Sequence, residues 1–353
     1  MRFGDGELHE NIYDRAARKD EPWEASFVRK RFVIVGAGAL GSIVASLLCR
    51  AGHDVTLLAR GRRAEQVARD GLILRGLVDS EARCTVRTNP AEIAATDTLV
   101  LATKAIDTER TLGTLRHVEL ASAFSLQNGV VKDRLLGETF GSDRVLGCVA
   151  DFSGELTDDG VVKFTRNVCL HLGARGTSNR ERARELSVLF EGAGLRSAVP
   201  PDIVTLEWSK FAGWIAQLPL AVLTRRLTWE FLTDPNAAQV IVQAAREAKS
   251  LADAEGITLE DAAPLPVASI ARATDDEGVK LVQAVGRRYR ETAPEHRMSA
   301  QQDALRGSPL ELEETLGFAL ERARELGVSM PTLTTLYRAV RAAHPAVPAR
   351  PRP

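Results

Sequence analysis

The chain has 353 residues, of which 44% are hydrophobic and 5% aromatic, a balance typical of a water-soluble α/β protein with room for two hydrophobic cores. Its formal net charge of −1 excludes the strongly basic surface that binding to nucleic acid or to an anionic membrane requires. No apolar run reaches the roughly 18 residues of a membrane-spanning helix. The N-terminus has no apolar signal-peptide core, so we expect a cytoplasmic protein.

The cysteines and histidines give no sign of a disulfide framework or a metal centre. The cysteines lie far apart without CxxC spacing, and the histidines form no cluster with ligand spacing. We expect reduced cysteines that pack as small hydrophobic side chains, and no metal. The cysteines are Cys49, Cys84, Cys148 and Cys169.

A glycine-rich stretch follows the first predicted strand. Phe32 to Val35 is an apolar, largely β-branched run that predicts a buried strand, and an apolar helical pattern begins after the GxGxxG sequence. The first glycine permits a tight turn, the second lets the backbone approach a pyrophosphate, and the third lets the helix pack on the strand. The N-terminal amides of that helix would receive the phosphates. This context favours a dinucleotide site over a glycine turn without a ligand. The predicted cofactor-binding residues are Gly36, Gly38, Ala39, Leu40 and Gly41.

The residue after the second predicted strand, Asp54 to Ala59, bears on the choice of cofactor. NAD-specific folds place an acid there for the ribose hydroxyls, whereas the 2′-phosphate of NADP requires a cation. The sequence has Arg60, followed by Arg62 and Arg63, and no acid before Glu65. It therefore indicates NADPH, although Arg62 and Arg63 also suit a solvated helix start.

Two further predicted strands carry polar residues to the ligand-binding edge of a parallel sheet. Thr98 to Thr103 is followed by Lys104, and Ala123 to Leu126 by Gln127-Asn128-Gly129. The carboxyl ends of such strands bind ligands in open α/β sheets. The Asn-Gly pair also suits a simple turn, and the two interpretations are compatible.

Other segments predict antiparallel pairing. Gly71 to Arg75 and Cys84 to Arg87 suggest a hairpin-like excursion, and Pro90 opens a short helix. The short alternating pieces from Arg144 to Leu172 predict antiparallel strands that close the sheet.

The β pattern ends at Pro200-Pro201-Asp202, and apolar residues then recur at helical spacing as far as His344. We therefore predict an α/β Rossmann-type domain over residues 31–199 and an all-helical domain over 200–344. Residues 1–30 and the proline-rich 345–353 are predicted to be a flexible extension and tail.

A series of short segments resembles the ketopantoate (2-dehydropantoate) reductase family from Arg31 to about Arg341. The resemblance implies a Rossmann domain, a helical domain like that of the 6-phosphogluconate dehydrogenase superfamily, a cleft between them, and NADPH-dependent reduction of an α-keto acid to an α-hydroxy acid. The matching segments are GAGALGS, VTLLARG, LATKA, QNG, Glu207-Trp-Ser-Lys210, Leu218-Pro219-Leu220, Met298-Ser299 to Glu311 with Gly317, and Gly327 to Pro331.

The resemblance also implies roles for individual residues. Arg60 and Lys104 would face the adenosine 2′-phosphate, and Asn128 would lie near the nicotinamide and the substrate. Lys210 matches the family's catalytic lysine. Ser299 and Glu311 match its substrate- and cofactor-contacting serine and glutamate, and we expect Glu311 to act in catalysis by pairing with the Lys210 ammonium and orienting substrate hydroxyls.

The chemistry independently suits these residue types. Hydride transfer to a keto carbon leaves an alkoxide, so the site needs a cation and then a proton donor. A desolvated lysine supplies both, since burial lowers its pKa. Three simpler interpretations stand beside this one: Lys210 as an exposed helix lysine, and Ser308 with Glu311, or Ser299 with Gln302, as helix-capping boxes.

The sequence departs from the family on the helix that carries the catalytic lysine. The family has two substrate-facing asparagines there, and this sequence has Trp214 and Leu218 at those positions. At about 100° per residue, both positions are expected to line the same cleft as Lys210. Gln217 falls within about 20° of Lys210, and we expect it to replace part of the lost amides. The hypothesis is a substrate that is bulkier or more apolar than ketopantoate.

The leading interpretation is an NADPH-dependent 2-keto-acid reductase, with ketopantoate as the first candidate substrate. The alternatives are an opine- or hydroxyacid-type dehydrogenase and a non-catalytic NADP(H)-binding sensor. No nucleic-acid or membrane partner is expected, and a homodimer is left open.

Overall fold

The computed structural model describes residues 28–176 and 179–344, so the predicted tail and almost all of the predicted N-terminal extension lie outside the described residues. The strands are β1 (Arg31–Val35), β2 (Asp54–Leu58), β3 (Leu72–Gly76), β4 (Ser80–Ala82), β5 (Thr85–Arg87), β6 (Ala95–Leu101), β7 (Glu119–Ser125), β8 (Leu146–Leu156), β9 (Val161–Ala174) and β10 (Ser197–Ala198). The helices are α1 (Ala39–Arg50), α2 (Gly61–Asp70), α3 (Thr108–Gly113), α4 (Lys132–Phe140), α5 (Arg180–Gly192), α6 (Ile203–Thr224), α7 (Thr228–Thr233), α8 (Pro235–Ala254), α9 (Val267–Arg272), α10 (Asp275–Thr292), α11 (Ser299–Leu305), α12 (Phe318–Leu326) and α13 (Pro331–Ala343).

The first sheet is parallel throughout, in the order β5-β2-β1-β6-β7. Its central strands are apolar on both faces, as β1 shows with Phe32 and Ile34 packed on one side and Val33 and Val35 on the other. Burial on both faces is the reason that these strands read as continuous apolar runs. The carboxyl ends of β1, β6 and β7 therefore share one edge, which receives the glycine loop, Lys104 and Asn128.

The second sheet corrects two sequence predictions. Gly71 to Arg75 pairs with β4, whereas the segment after Cys84 becomes β5 and joins the first sheet beside β2. The antiparallel strands β8 and β9 were correctly predicted as a pair, but they belong to the second sheet, with the order β10-β9-β3-β4 and β8 on β9. One bridge from Ala123 to Val145 connects β7 to the start of β8.

The helical domain is built around α6, whose start is fixed by its N-cap. The Asp202 carboxylate accepts hydrogen bonds from the amides of Val204 and Thr205, at 2.9 and 3.3 Å. Such a cap satisfies two amides that have no partner within the helix. The far half of α6 is buried in the helical core, while its first turns pack Ile203 and Leu206 against Val149 of β8. α6 therefore spans both domains.

The structure confirms the predicted fold class, a parallel-sheet α/β domain followed by a helical domain. No helix among the residues described is long and apolar enough to cross a membrane.

Candidate active site

The glycine loop has the geometry of a dinucleotide-binding turn. Gly36 has φ +110°, and a Cβ there would come within 2.8 Å of the Ala102 carbonyl carbon. A Cβ on Gly41 would lie 2.1 Å from the Gly36 oxygen, whereas one on Gly38 would meet nothing within 4 Å. The first and third glycines are therefore required by packing, and the second faces open space. Gly38 is the N-cap of α1, which leaves the first amides of the helix directed at that space.

The three arginines after β2 divide into two groups. Arg60 and Arg62 are exposed and form no ion pair with any residue that the structure describes, so their charges are free for an anionic ligand. Arg63 is half-buried and donates to the Ala37 carbonyl at 3.1 Å and to the Gly160 carbonyl at 3.0 Å. Burial lowers the pKa of Arg63. Arg63 thus anchors the glycine loop, a role that the sequence did not reveal.

The segment after β6 contacts α11 and the segment that follows it in the helical domain. The Lys104 ammonium lies 2.5 Å from Asp303 and 3.8 Å from Glu311, and the Ala105 amide donates to Glu311 at 2.5 Å. Both domains thus contribute to the site. Lys104 faces these two carboxylates, and its predicted contact with the 2′-phosphate stays a prediction.

The capping interpretations are wrong for both segments. No helix begins at Ser308, because the next helical turn starts at Glu313, and Glu311 instead accepts the Ala105 amide from the other domain. The N-cap of α11 is Met298, so Ser299 is the first helical residue and makes no capping hydrogen bond. Ser299 is exposed, one turn before Asp303 on the same helix.

Lys210 lies at the junction of the two domains, between two small cavities. The first is lined by Gln127, Asn128, Gly129, Lys132, Cys148, Val149, Glu207, Lys210, Phe211 and Trp214. The second is lined by Val149, Asp151, His171, Leu206, Lys210 and residues 262–264. The ammonium donates to the Ala150 carbonyl at 2.7 Å and forms no ion pair with any described residue. Burial lowers the pKa of Lys210. The interpretation of Lys210 as an exposed helix lysine is wrong.

Of the predicted substrate-binding residues, Asn128 and Trp214 share the first cavity with Lys210. Gln217 does not: its amide nitrogen donates to the Gly213 carbonyl at 2.8 Å, within its own helix. Leu218 is 2% exposed and packs in the helical core. Gln217 has the expected angular position relative to Lys210 on α6, but one turn beyond Trp214 the helix is already inside the helical core. Gln217 and Leu218 therefore do not line the cleft as predicted.

The sequence analysis missed a buried cluster of charges beside Lys210. The Lys132 ammonium lies 2.6 Å from Glu207 and 3.2 Å from Asp133, and Arg175 bonds the same two carboxylates at 2.5 and 2.7 Å. Glu207 also accepts the Cys148 amide at 2.8 Å. Two cations and two anions thus compensate one another, with Lys132, Asp133 and Glu207 buried and Arg175 partly exposed. Glu207 is one turn from Lys210, so the cluster fixes the part of α6 that carries Lys210 to the α/β domain.

The cysteines and the potential metal ligands are described by two further observations. All four cysteines are free. Among residues 28–176 and 179–344, no group of three or more His, Cys, Asp or Glu side chains could hold a metal ion.

Comparison with known proteins identifies similar chains. A family model described as "Ketopantoate reductase PanE/ApbA" matches residues 32–176, and its C-terminal counterpart matches residues 202–344. The 2-dehydropantoate 2-reductase of Archaeoglobus fulgidus is 28% identical over 323 residues, covering 88% of this chain and 97% of that protein.

Solved structures give the same result. The 2-dehydropantoate 2-reductase from Geobacter metallireducens superposes with a TM-score of 0.75 at 26% identity, covering 89% of this chain and 99% of that one. D-mandelate dehydrogenase, solved with NADH and anilino(oxo)acetate, has a TM-score of 0.78 at 19% identity, covering 89% and 98%.

Proposed function

The chain belongs to the ketopantoate reductase family, and we propose on that premise that it reduces a 2-keto acid to a 2-hydroxy acid with NADPH, using Lys210 as the proton donor. One observation carries the proposal. Lys210 is a partly buried cation that forms no ion pair with any described residue, and its one hydrogen bond within the described structure goes to a backbone carbonyl. A buried charge without a counter-ion is costly to the fold, and such groups concentrate at functional sites.

The environment of Lys210 suits general acid catalysis. Burial lowers its pKa, while the charge of Asp151 opposes that shift. The ammonium can hydrogen-bond the oxygen of a bound keto group and then transfer a proton to that oxygen as negative charge develops. Asn128, which shares the cavity and has no hydrogen-bond partner in the described structure, is free to orient the substrate or the nicotinamide ring.

The residues present fit a nicotinamide dinucleotide. The open space at Gly38 and the first amides of α1 would receive the pyrophosphate. Arg63 would hold the glycine loop in place through its hydrogen bond to the Ala37 carbonyl. Arg60 and Arg62, unpaired at the end of β2, favour the 2′-phosphate of NADPH over NADH. The bound cofactor would supply the hydride.

Ketopantoate is the first candidate substrate because of the family. Trp214 and Phe211 favour a second candidate class, 2-keto acids with an aromatic or branched apolar side chain, since both aromatic rings line the cavity beside Lys210. The D-mandelate dehydrogenase structure holds anilino(oxo)acetate, an aromatic compound, on the same fold. Such substrates are therefore included in the test.

The experiment is a steady-state assay of NADPH and NADH oxidation with ketopantoate, 2-oxoisovalerate, phenylpyruvate and benzoylformate. We expect turnover of at least one keto acid, faster with NADPH and abolished in K210M. Tight NADPH binding without turnover of any keto acid would contradict the proposal and favour a cofactor-binding sensor. Faster oxidation of a hydroxy acid or of an N-substituted amino acid would favour the opine- or hydroxyacid-type alternative.

A further inference from the structure

An irregular stretch of β9 brings Arg166 to Asp151, which lines the second of the two cavities beside Lys210. The β8–β9 ladder pairs Asp151 with Cys169 and then Phe152 with Asn167, which leaves Val168 without a partner. A second irregularity follows, because Ser153 pairs with Arg166 and Gly154 with Phe164. Arg166 and Asn167 therefore lie between two bulges. Bulges are over-represented next to active sites, where they re-aim side chains.

The bulge at Val168 decides which face of the sheet Arg166 occupies. In a regular ladder, Asn167 would stand opposite Ser153, and Arg166 would point to the other face. The extra residue brings Arg166 opposite Ser153, on the face that carries Asp151. The ion pair confirms this placement, with 2.6 Å between the Arg166 guanidinium and the Asp151 carboxylate.

That face is the one covered by α6. Val149, two residues before Asp151, packs against Ile203 and Leu206 of α6. The Lys210 ammonium bonds the carbonyl of Ala150, the residue immediately before Asp151. Asp151 also lines the second cavity together with Lys210. Asp151 thus lies between the proton donor and Arg166.

Two rings of the helical domain are sensitive to the charge of Arg166. Tyr289, near the end of α10, and His296 have ring centroids 4.8 Å apart. Burial, and after it the charge of Arg166, lowers the pKa of His296 to about 4. Burial raises the pKa of Tyr289, an effect that Arg166 opposes. The charge of Arg166 therefore acts on both rings.

Arg166 has more hydrogen-bonding capacity to spare than the other cations near Lys210. Lys132 and Arg175 each bond two carboxylates, and so does Lys104 at the other side of the cleft. Arg166 bonds one carboxylate through one of its five N–H groups, makes no other hydrogen bond in the part of the chain that the structure describes, and is 32% exposed at its side chain. The other N–H groups of its guanidinium have no hydrogen-bond acceptor among the described residues.

We propose that Arg166 binds the carboxylate of the 2-keto acid through the edge of the guanidinium that Asp151 leaves free, while Lys210 holds the keto oxygen. This inference rests on the proposed function. A 2-keto acid carries its carboxylate next to the carbonyl that becomes an alkoxide, so two adjacent anionic groups need two cations. The planar guanidinium fork matches a carboxylate geometrically, which an ammonium does not. Asp151 positions that fork and limits its motion.

The test uses whichever of ketopantoate and benzoylformate the wild type reduces faster. That acid is compared with its uncharged methyl ester in wild type, R166M and R166K. We expect R166M to raise KM for the acid about tenfold or more, because a charge-assisted hydrogen bond contributes about 1.5–3 kcal/mol. KM for the ester and the Kd of NADPH should stay within about twofold. R166K should fall between wild type and R166M, since it keeps the charge but not the fork.

The matched control is R75M, at an exposed arginine that pairs with Glu81 on β4, in the same sheet and away from the cleft. It should change neither KM. Because R166M leaves Asp151 without its partner, the double variant D151N/R166M is measured as well, and it should show the same loss for the acid. If the wild type reduces a keto acid but R166M raises KM equally for acid and ester, or for neither, the assignment of Arg166 is overturned and the proposed function is not. A wild type that reduces no keto acid would instead overturn the proposed function, and the assignment with it.

Discussion

Lys132 of the α/β domain and Glu207 of the helical domain form a buried ion pair, with 2.6 Å between Nζ and Oε1 and no more than 3% exposure of either side chain. The pair joins the start of α4 to the first half of α6, three residues before Lys210. It lines the first cavity without being free to bind substrate, because both groups already have several partners. Its role is therefore structural, to hold the two walls of the cleft in register.

Removing one member of this pair should destabilise the protein strongly. E207A leaves Lys132 and Arg175 with Asp133 as their one shared carboxylate, and breaking a buried pair costs about 3–5 kcal/mol. The expected result is a clearly lower urea midpoint at neutral pH. The double variant K132M/E207L should lose less than E207A, since it leaves no charge unpaired. E81A, at an exposed pair, should change the midpoint little.

Loss of the Lys210 ammonium should abolish turnover without loss of cofactor binding. General acid catalysis contributes about 10²–10⁴-fold, so K210M should lower kcat by about 10³-fold. NADPH binding, followed by nucleotide fluorescence, should be unchanged because Lys210 belongs neither to the glycine loop nor to the arginine segment after β2, the two segments proposed to hold the nucleotide. A weakened NADPH Kd of the same size as the kcat loss would argue for a cofactor-binding role instead.

The pH dependence of reduction should report the lowered pKa of Lys210. The ammonium form donates the proton, so kcat/KM falls as the pH rises through the pKa of Lys210. Because burial lowers that pKa, the fall should begin below the pKa of an ordinary lysine, about 10.4. The charge of Asp151 raises the pKa of Lys210, so D151N should move the alkaline limb to still lower pH. An unmoved limb in D151N would mean that another group sets it.

Cofactor preference should depend on the free cations at the end of β2. R60A removes a charge that has no partner in the described structure, so the Kd of NADPH should rise about tenfold, which corresponds to about 1.4 kcal/mol. The Kd of NADH, which lacks the 2′-phosphate, should hardly change. R62A should show a smaller effect in the same direction. Equal losses for the two nucleotides would place the 2′-phosphate elsewhere.

Substrate selectivity should depend on the side chain of Trp214 and not on that of Gln217. W214N replaces an aromatic wall of the cavity with an amide, and kcat/KM should shift about tenfold toward ketopantoate relative to phenylpyruvate. Q217A removes a side chain that bonds its own helix outside the cavity, so its selectivity should match wild type. A comparison of kcat/KM ratios for both variants separates these outcomes, and a selectivity change in Q217A alone would reverse the interpretation.

The sequence was most informative where a feature depends on near neighbours in the chain. The β1 strand, the glycine loop and α1 follow from the apolar run and the glycine spacing, because the order of strand, turn and helix and the close contact of Gly41 with Gly36 are set within a few residues. The helical periodicity after Pro200 likewise predicted the second domain. The strand ends that present Lys104 and Asn128 could be predicted because parallel strands bring their carboxyl ends to one edge.

Predictions failed where a residue found its partner far along the chain. Glu311 suits a capping box by its spacing, yet it bonds the Ala105 amide 206 residues away. The segment after Cys84 has the composition of a hairpin strand, yet β2 offered it a parallel partner. Gln217 has the correct angle on α6, but an angle does not tell where the helix leaves the cleft and enters the core.

The sequence by itself determined the family and the glycine loop, and it singled out Lys210 as the candidate proton donor. These inferences rest on local spacing and on short motifs kept in order. Only the tertiary structure decided that Lys210 forms no ion pair with a described residue, that Lys132, Asp133, Arg175 and Glu207 compensate one another, and that a bulge brings Arg166 to Asp151. The physical reason is that burial and charge pairing depend on which distant segments pack together. A one-residue change of strand register, which composition does not reveal, moves a side chain to the opposite face of its sheet.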